Sequence, residues 1–290
     1  MVKKYRTMRI SIVTINYNNA EGLRKTLASV VAQTYRDIEH IIVDAASTDG
    51  SVDIICDYVK KVESAGRALE SRVKSVIWSS EPDGGIYAGM NKGIRKATGN
   101  YIQILNSGDM LAASDVTERM ISTLEANGNP GILYGNMIKK EYAMGKIVGK
   151  SGELEYSLRN YYSGTLNHDC CYIRRDLFDT YGLYDESLKI VSDWKWFMQA
   201  IGLGNVKPVY VNIDVTFFDA SGVSESNLEL RNKERRQVLE ELLPPAVLAD
   251  YDKHAFETQQ MDRLRKHHLY GLVYFIERVL FKLEKWGIIA

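Results

Sequence analysis

The sequence predicts an α/β fold: a mostly parallel, twisted sheet flanked by helices, followed by a C-terminal helical extension. Three observations carry that prediction. Short β-branched runs alternate with helix-periodic stretches of about 10–15 residues through the first half of the chain, the pattern of βαβ units. Such units are right-handed and place successive strands parallel. From Asn227 onward strand signals cease, and a charged, helix-periodic sequence takes over, interrupted only at Pro244-Pro245.

In chain order, residues 9–15 (RISIVTI) form the first predicted strand. Residues 21–33 place Leu23, Leu27, Val30 and Val31 at helical spacing. Residues 40–43 (HIIV) are a second strand, ending in Asp44, and residues 51–61 a helix capped by Ser51 or Asp49. A third strand at 73–78 and a helix at 86–97, with Met90, Ile94 and Ala97 on one face, come next. A fourth strand at 101–105, a helix at 114–126 and a short strand at 132–134 follow. Beyond residue 136 the pattern loosens: a hairpin at 142–150, a strand at 170–174, helices at 176–181 and 193–201, and a strand at 206–213. The expected organisation is a first domain at 8–225 and a helical extension at 226–290.

Composition narrows the function classes. Hydrophobic residues are 45% and charged residues 26% of the 290, a balance that fits a soluble globular chain rather than a disordered one. Lys and Arg number 37 and so do Asp and Glu, so the chain lacks a large basic footprint, and no nucleic-acid partner is expected. Cys56, Cys170 and Cys171 build neither a disulfide framework nor a zinc spacing, which points to a reducing compartment. The basic start MVKKYR precedes an apolar run too short for a signal peptide. No stretch reaches the ~18 uninterrupted apolar residues of a membrane span. The nearest, 269–289, is broken by Glu277, Arg278, Lys282, Glu284 and Lys285. A cytoplasmic location is expected.

The residues just past each strand carry the chemistry. After the first strand come Asn16, Tyr17, Asn18 and Asn19; after the second, Asp44 in DAASTDGS; after the third, EPDGG; after the fourth, Asn106, Ser107, Gly108 and Asp109. Parallel strands deliver all four sets to one edge, where α/β sheets bind their ligands. A carboxylate at Asp44 suits a ribose hydroxyl or a base N–H; the alternative is an Asx turn before a helix. NYNN lacks the glycines of a dinucleotide-binding loop, and no GxxxxGK[ST] phosphate loop occurs. A bound diphosphate would then need a divalent cation held on carboxylates, with Asp109 in NSGD as the candidate and Asn106 as a neutral donor.

The segments SIVTINYNN, QTYRDIEHIIVDAASTDGS and EPDGGIYAGMNKGIRKATGNYIQILNSGD, in this order, resemble the inverting family 2 glycosyltransferases of the GT-A fold. The likeness extends over residues 8–220, and the wording GIYxxMNKG and LNSGD is similar to the bacterial polysaccharide-assembly branch. It implies a cytoplasmic hexosyltransferase that takes a nucleotide-diphosphate sugar, a UDP-sugar in preference, to a saccharide or lipid-linked saccharide. Thr14 and Asn16 would lie by the base and ribose, and Asp44 on the base. Asp83, Asn91 and Lys92 would line the donor side. The family's acidic Asp-x-Asp-Asp motif falls on Asn106-Ser107-Gly108-Asp109, which leaves Asp109 as its one acid. A further ligand for Mg or Mn would come from elsewhere, for example His168 in NHDCC; the alternative for His168 is a buried, hydrogen-bonded histidine.

The family places a catalytic acid at the start of a helix beyond the acceptor region. The matching segment, IVSDWKWF, makes Asp193 the candidate general base, the alternative being a helix N-cap. Inversion needs in-line attack by an acceptor hydroxyl, and a carboxylate that takes its proton is typically worth ~10²–10⁴-fold. The leaving diphosphate needs cationic stabilisation, for which Arg174 and Arg175 are candidates beside the metal. The loss of two acids from the motif also motivates a second expectation, a nucleotide-sugar-binding protein without turnover. A nucleotidyltransferase is a weaker alternative, because the basic phosphate loop it needs after the first strand is absent. Leu269, Leu272, Val273, Ile276, Leu280, Leu283 and Trp286 lie at helical spacing near the C-terminus. They admit three readings: packing on the core or in a homodimer, peripheral contact at the inner face of a membrane, or a partner-protein groove.

Overall fold

Strand β1 (Ile10–Asn16) is buried on both faces. Ile10 and Ile12 enter the core with Leu23, Leu27 and Val30 of helix α1 (Ala20–Val31), while Val13 meets Gly93 of helix α3 (Ile86–Lys96). Two-sided burial is why the strand carries Ile and Val on both faces rather than a strict apolar–polar alternation. The computed structural model describes residues 8–67, 73–141, 146–219, 227–266 and 270–286.

Asn19 caps α1, its Oδ1 accepting the Gly22 N–H at 3.1 Å. A Cβ on Gly22 would stand 2.3 Å from the Asn19 side chain, so this cap needs glycine there. Strand β2 (Ile38–Asp44), helix α2 (Ser51–Arg67), strand β3 (Val73–Ser80), α3 and strand β4 (Tyr101–Ile104) complete the βαβ units. β2 pairs with β1 and β3, and β1 with β4, all parallel. The chain steps outward from β1 to β3 and then returns to the other side of β1, so β1 and β4 flank the point where strand order reverses.

The other half of the sheet is mixed. It comprises β5 (Met110–Leu111), α4 (Val116–Ala126), β6 (Ile132–Glu141), β7 (Lys146–Lys150), α5 (Leu158–Ser163), β8 (Cys171–Arg174), α6 (Asp176–Tyr181), α7 (Ser192–Phe197) and β9 (Val209–Asp219). The order is β3-β2-β1-β4-β8-β6-β9-β5, with β7 beside β6. β8 runs antiparallel to β4 and β6, β9 is parallel to β6, β5 pairs antiparallel with β9, and β7 antiparallel with β6. The expected parallel sheet thus holds for the strands that bear the motifs and gives way to mixed pairing beyond them.

β6 and β9 both outrun their predicted lengths, because they pair with each other from Leu133↔Val209 to Lys140↔Asp219. Pairing sets their ends; local propensity does not. The predicted hairpin has its two arms in β6 and β7, and its turn at 142–145 lies outside the described residues. The helix expected at 193–201 is α7 followed by a π-helical turn, Met198–Leu203.

Two compact units divide between Arg236 and Gln237. Helix α8 (Leu228–Leu242) spans that division, which lies beyond the boundary expected at 225/226. In the second unit, α9 (Pro245–Lys266) opens on a proline, whose fixed φ suits a first helical turn, and α10 (Tyr270–Lys285) follows. Among the described residues no helix is long and apolar enough to cross a membrane.

Candidate active site

The four parallel strands end on one edge, and hydrogen bonds knit their ends together. Asn16 and Asp44 are register partners, and Asn16 Nδ2 donates to Asp44 Oδ1 at 2.8 Å. The Asp44 carboxylate also accepts the Ser47 Oγ at 2.6 Å, the Ser47 N–H at 2.9 Å and the Ser80 Oγ at 2.6 Å. Burial disfavours its charge, but the bonds from Ser47, Ser80 and Asn16 outweigh burial and hold its pKa below the ordinary aspartate value. The Asx turn read as an alternative is therefore present, and the same carboxylate is a fixed anion at the strand ends. The Glu81 N–H donates to the Asp44 carbonyl, Ser107 N–H to the Ile15 carbonyl, and Asn19 Nδ2 to the Ser107 carbonyl.

Other residues expected on the donor side are committed elsewhere. Thr14 is fully buried, and its hydroxyl lies 3.0 Å from His40 Nε2, with the Tyr58 hydroxyl on the far ring nitrogen. Burial pushes His40 down to about 3, so it is neutral, and Thr14 belongs to a core triad behind the edge. Asn91 is a strut: its amide donates to the Tyr184 carbonyl and to Glu186, and accepts the Tyr184 N–H. With both N–H groups spent, this buried amide has no donor left for a ligand. Lys92 leans back on its own loop, 3.2 Å from the Pro82 carbonyl and from Glu81. Asp83 stays at the edge, partly exposed, accepting the Gly85 N–H at the start of α3.

Asp193, in the first turn of α7, reaches this edge through His168. Its Oδ2 lies 3.0 Å from His168 Nδ1, and His168 Nε2 lies 3.1 Å from Asn106 Nδ2. The Tyr87 hydroxyl on α3 lies 3.0 Å from Asp193 Oδ1 and 2.6 Å from the Ile190 carbonyl. Burial opposes the Asp193 charge, yet His168 and Tyr87 keep its pKa below the ordinary value. Burial alone would lower His168, but Asp193, helped by Asp169 and Asp109, lifts it to about 9. The N-cap alternative for Asp193 fails, since α7 is capped at Val191 with no side-chain hydrogen bond.

Both nitrogens of His168 are thus occupied, which removes it as a metal ligand. Asp109 is buried and its Oδ1 accepts the Asp219 N–H at 3.1 Å. Burial, then the charges of Asp169 and Asp219, raise its pKa well above the usual carboxylate range. Asp219, at the end of β9, brings its carboxylate beside Gly108, 3.8 Å from where a Cβ would sit. Among the described residues no three His, Cys, Asp or Glu side chains converge to hold a metal. Two neighbouring carboxylates do fit Mg or Mn, hard cations that take the rest of their shell from phosphate oxygens and water. The crowding that drives Asp109 toward its neutral form is what a cation there would relieve.

Sequence reasoning missed Tyr87, Asp169, Asp219 and Arg235. Asp169 is buried and accepts the Thr216 hydroxyl. Arg235 stacks on Trp194, 4.7 Å from the ring centroid, and its buried Nε has no protein acceptor among the described residues. Its guanidinium interacts electrostatically with Asp193. Arg174 and Arg175 stand at the opposite edge: Arg174 pairs across from Tyr101 and bonds Asp176, and Arg175 donates to the Gly99 carbonyl. An antiparallel β8 sends its C-terminal arginines to the start of β4, away from the site. Only GIY hinted at Tyr87; no local signal marks Asp219 or Arg235.

Comparison with known proteins shows the family and the fold. The family model Glycosyl transferase family 2 matches residues 11–182. An uncharacterised glycosyltransferase of Mycobacterium tuberculosis is 31% identical over 220 residues, 74% of this chain and 76% of the relative. A PGL/p-HBAD biosynthesis glycosyltransferase of Mycobacterium bovis is 26% identical over 73% of this chain and 77% of its own. Among solved structures, S. aureus TarS 1–349 in complex with UDP-GlcNAc superposes with a TM-score of 0.61 at 17% identity. That match covers 80% of this chain and 64% of that one. The mannosyltransferase PcManGT from Pyrobaculum calidifontis, in complex with GDP-Man and Mn2+, gives 0.61 at 15% identity, over 96% and 83%. At these identities the structures speak to the fold, which is the α/β GT-A type with C-terminal helices.

Proposed function

We propose that this chain, which belongs to glycosyl transferase family 2, transfers one sugar with inversion from a nucleotide-diphosphate sugar to a hydroxyl of a saccharide or lipid-linked saccharide. One observation supports the mechanism above the others: the Asp193 carboxylate is held between His168 and Tyr87, with His168 linking it to Asn106 at the end of β4. In the proposed step the acceptor oxygen attacks the anomeric carbon, its proton passes to Asp193, and the bond to the diphosphate oxygen breaks on the opposite face. A base kept below the ordinary aspartate pKa is deprotonated at neutral pH and takes the proton as the acceptor oxygen gains positive character.

Asp44 and Asn16 would bind the nucleoside, a UDP-sugar being favoured. Asn16 Oδ1 is buried without a protein donor, so a ligand N–H or O–H group would satisfy it. Asp109 and Asp219 would hold the divalent cation, which when bound supplies positive charge to the leaving diphosphate. Arg235 would add charge from the side of Asp193. Asp83 remains a donor-side candidate at the N-terminus of α3.

The test is a transfer assay with UDP- and GDP-sugars against saccharide and lipid-linked acceptors, run on the parent and on Asp193→Asn. Product of inverted configuration from the parent and none from the variant is the expected result. Asn106 and Gly108 favour a second reading, donor binding without turnover. Calorimetry showing tight donor binding, with neither transfer nor hydrolysis for any acceptor, would select it.

A further inference from the structure

Helix α10 keeps its large apolar side chains in water. Leu272 is 57% exposed, Phe275 64%, Ile276 47%, Val279 39%, Leu280 44% and Trp286, just past its end, 67%. At 100° per residue these six fall in a single arc of about 140°, while Phe281, 67% exposed, and Tyr274, 53%, lie on the opposite side. Glu277 and Glu284 lie beyond one border of the arc, and Lys282, Arg278 and Lys285 beyond the other. Charge follows the same segment. Residues 263–290 hold six basic residues (Arg263, Arg265, Lys266, Arg278, Lys282, Lys285) against Glu277 and Glu284, a net of +4 in a chain whose total is zero.

These features discriminate among occupants. A helix of 16 residues with charges through its middle does not span a bilayer. A coiled-coil seam with a second copy needs a narrow stripe at two positions in seven, flanked by charges of both signs. The arc here is wider, is rich in aromatic residues at its basic border, and has cations along that border. This combination suits a surface of opposite charge with an apolar interior. We propose that α10 is an interfacial helix: it seats its apolar arc in the headgroup–acyl boundary of an anionic bilayer, with Lys282, Arg278, Lys285, Arg263 and Lys266 against the lipid headgroups.

The full chain is sedimented with phosphatidylcholine–phosphatidylglycerol vesicles and with pure phosphatidylcholine vesicles, and light scattering measures its mass without lipid. Binding to the anionic vesicles, weak binding to the neutral ones, and loss of binding in high salt are expected. The double variant Phe275→Asp/Val279→Asp should abolish binding. Lys282→Glu with Arg278→Glu should weaken it on anionic vesicles by roughly an order of magnitude or more. Tyr274→Ser, on the opposite side of the helix, should leave it unchanged. Far-UV circular dichroism equal to the parent's shows that each variant folds. Failure of the parent to sediment with anionic vesicles overturns the proposal, as does binding that survives Phe275→Asp/Val279→Asp. A lipid-free dimer that this double variant splits gives the face to a second copy and also overturns it.

Discussion

The His168 imidazole and the Asp193 carboxylate stand 3.0 Å apart, Nδ1 to Oδ2, and each sets the other's protonation. Burial disfavours both charges, yet the shifts run toward an ion pair: Asp193 below its ordinary value and His168 up to about 9. A charged imidazole has two donors and needs an acceptor at Nε2. Rotating the Asn106 amide by half a turn would present Oδ1, the atom that lacks a protein donor, to that nitrogen. The asparagine that replaces a family acid is therefore matched to a cationic neighbour.

The pair predicts a pH-dependent stability. A histidine whose folded pKa is raised contributes fully below its unfolded value of 6.5 and loses that contribution as pH rises through about 9. Parent and His168→Gln, melted in EDTA across pH, should differ most near pH 6, and the gap should close by the time pH passes 9. A gap that stays constant over this range would refute the ion pair.

Asp193→Asn should lower kcat by ~10²–10⁴-fold while nucleotide-sugar affinity stays within a fewfold, because the amide keeps the shape but cannot take the proton. Single-turnover transfer and donor calorimetry separate the two quantities. His168→Gln should lower kcat less and shift the pH profile, as befits a residue that positions the base.

Asp44→Asn exchanges an acceptor of four hydrogen bonds for a group whose NH₂ must face a donor, Ser47, Ser80 or Asn16. A loss of about 1–3 kcal/mol in stability is expected. Thermal melting and UDP titration should show both a lower Tm and weaker nucleotide binding; binding at parental strength would remove Asp44 from the nucleoside site.

Helix α3 lies so close to β1 that a Cβ on Gly93 would come 2.3 Å from Val13 Cγ1. Gly93→Ala should destabilise by about 1–3 kcal/mol through overpacking. Adding Val13→Ala should recover part of that loss, and denaturant midpoints of the single and double variants measure the coupling. Simple additivity would mean that this contact does not set the approach.

Asp109 and Asp219 together predict that Mn2+ strengthens UDP binding to the parent and that Asp219→Asn removes most of the gain. Titrations with Mn2+ and with EDTA decide this. An equal effect of Mn2+ on parent and variant would place the cation elsewhere.

By itself the sequence determined which residues arrive at one edge. Asn16, Asp44, Asp83 and Asn106 each lie at or just past the end of a strand of a βαβ unit, and parallel pairing forces the ends of such strands together, so position along the chain is enough. It also marked Asp193, through its motif alone. Only the tertiary structure decided which protein partners these side chains take. Thr14 went to His40 and Asn91 to Tyr184, because a buried polar group takes the nearest partner that satisfies it. Tyr87 met Asp193 across 106 residues, and Arg235 settled on Trp194 from a helix beyond the sheet. Arg174 and Arg175 moved to the far edge once β8 ran antiparallel. Hydrogen bonds and ring contacts between distant elements depend on orientation in three dimensions, which strand and helix periodicity does not encode.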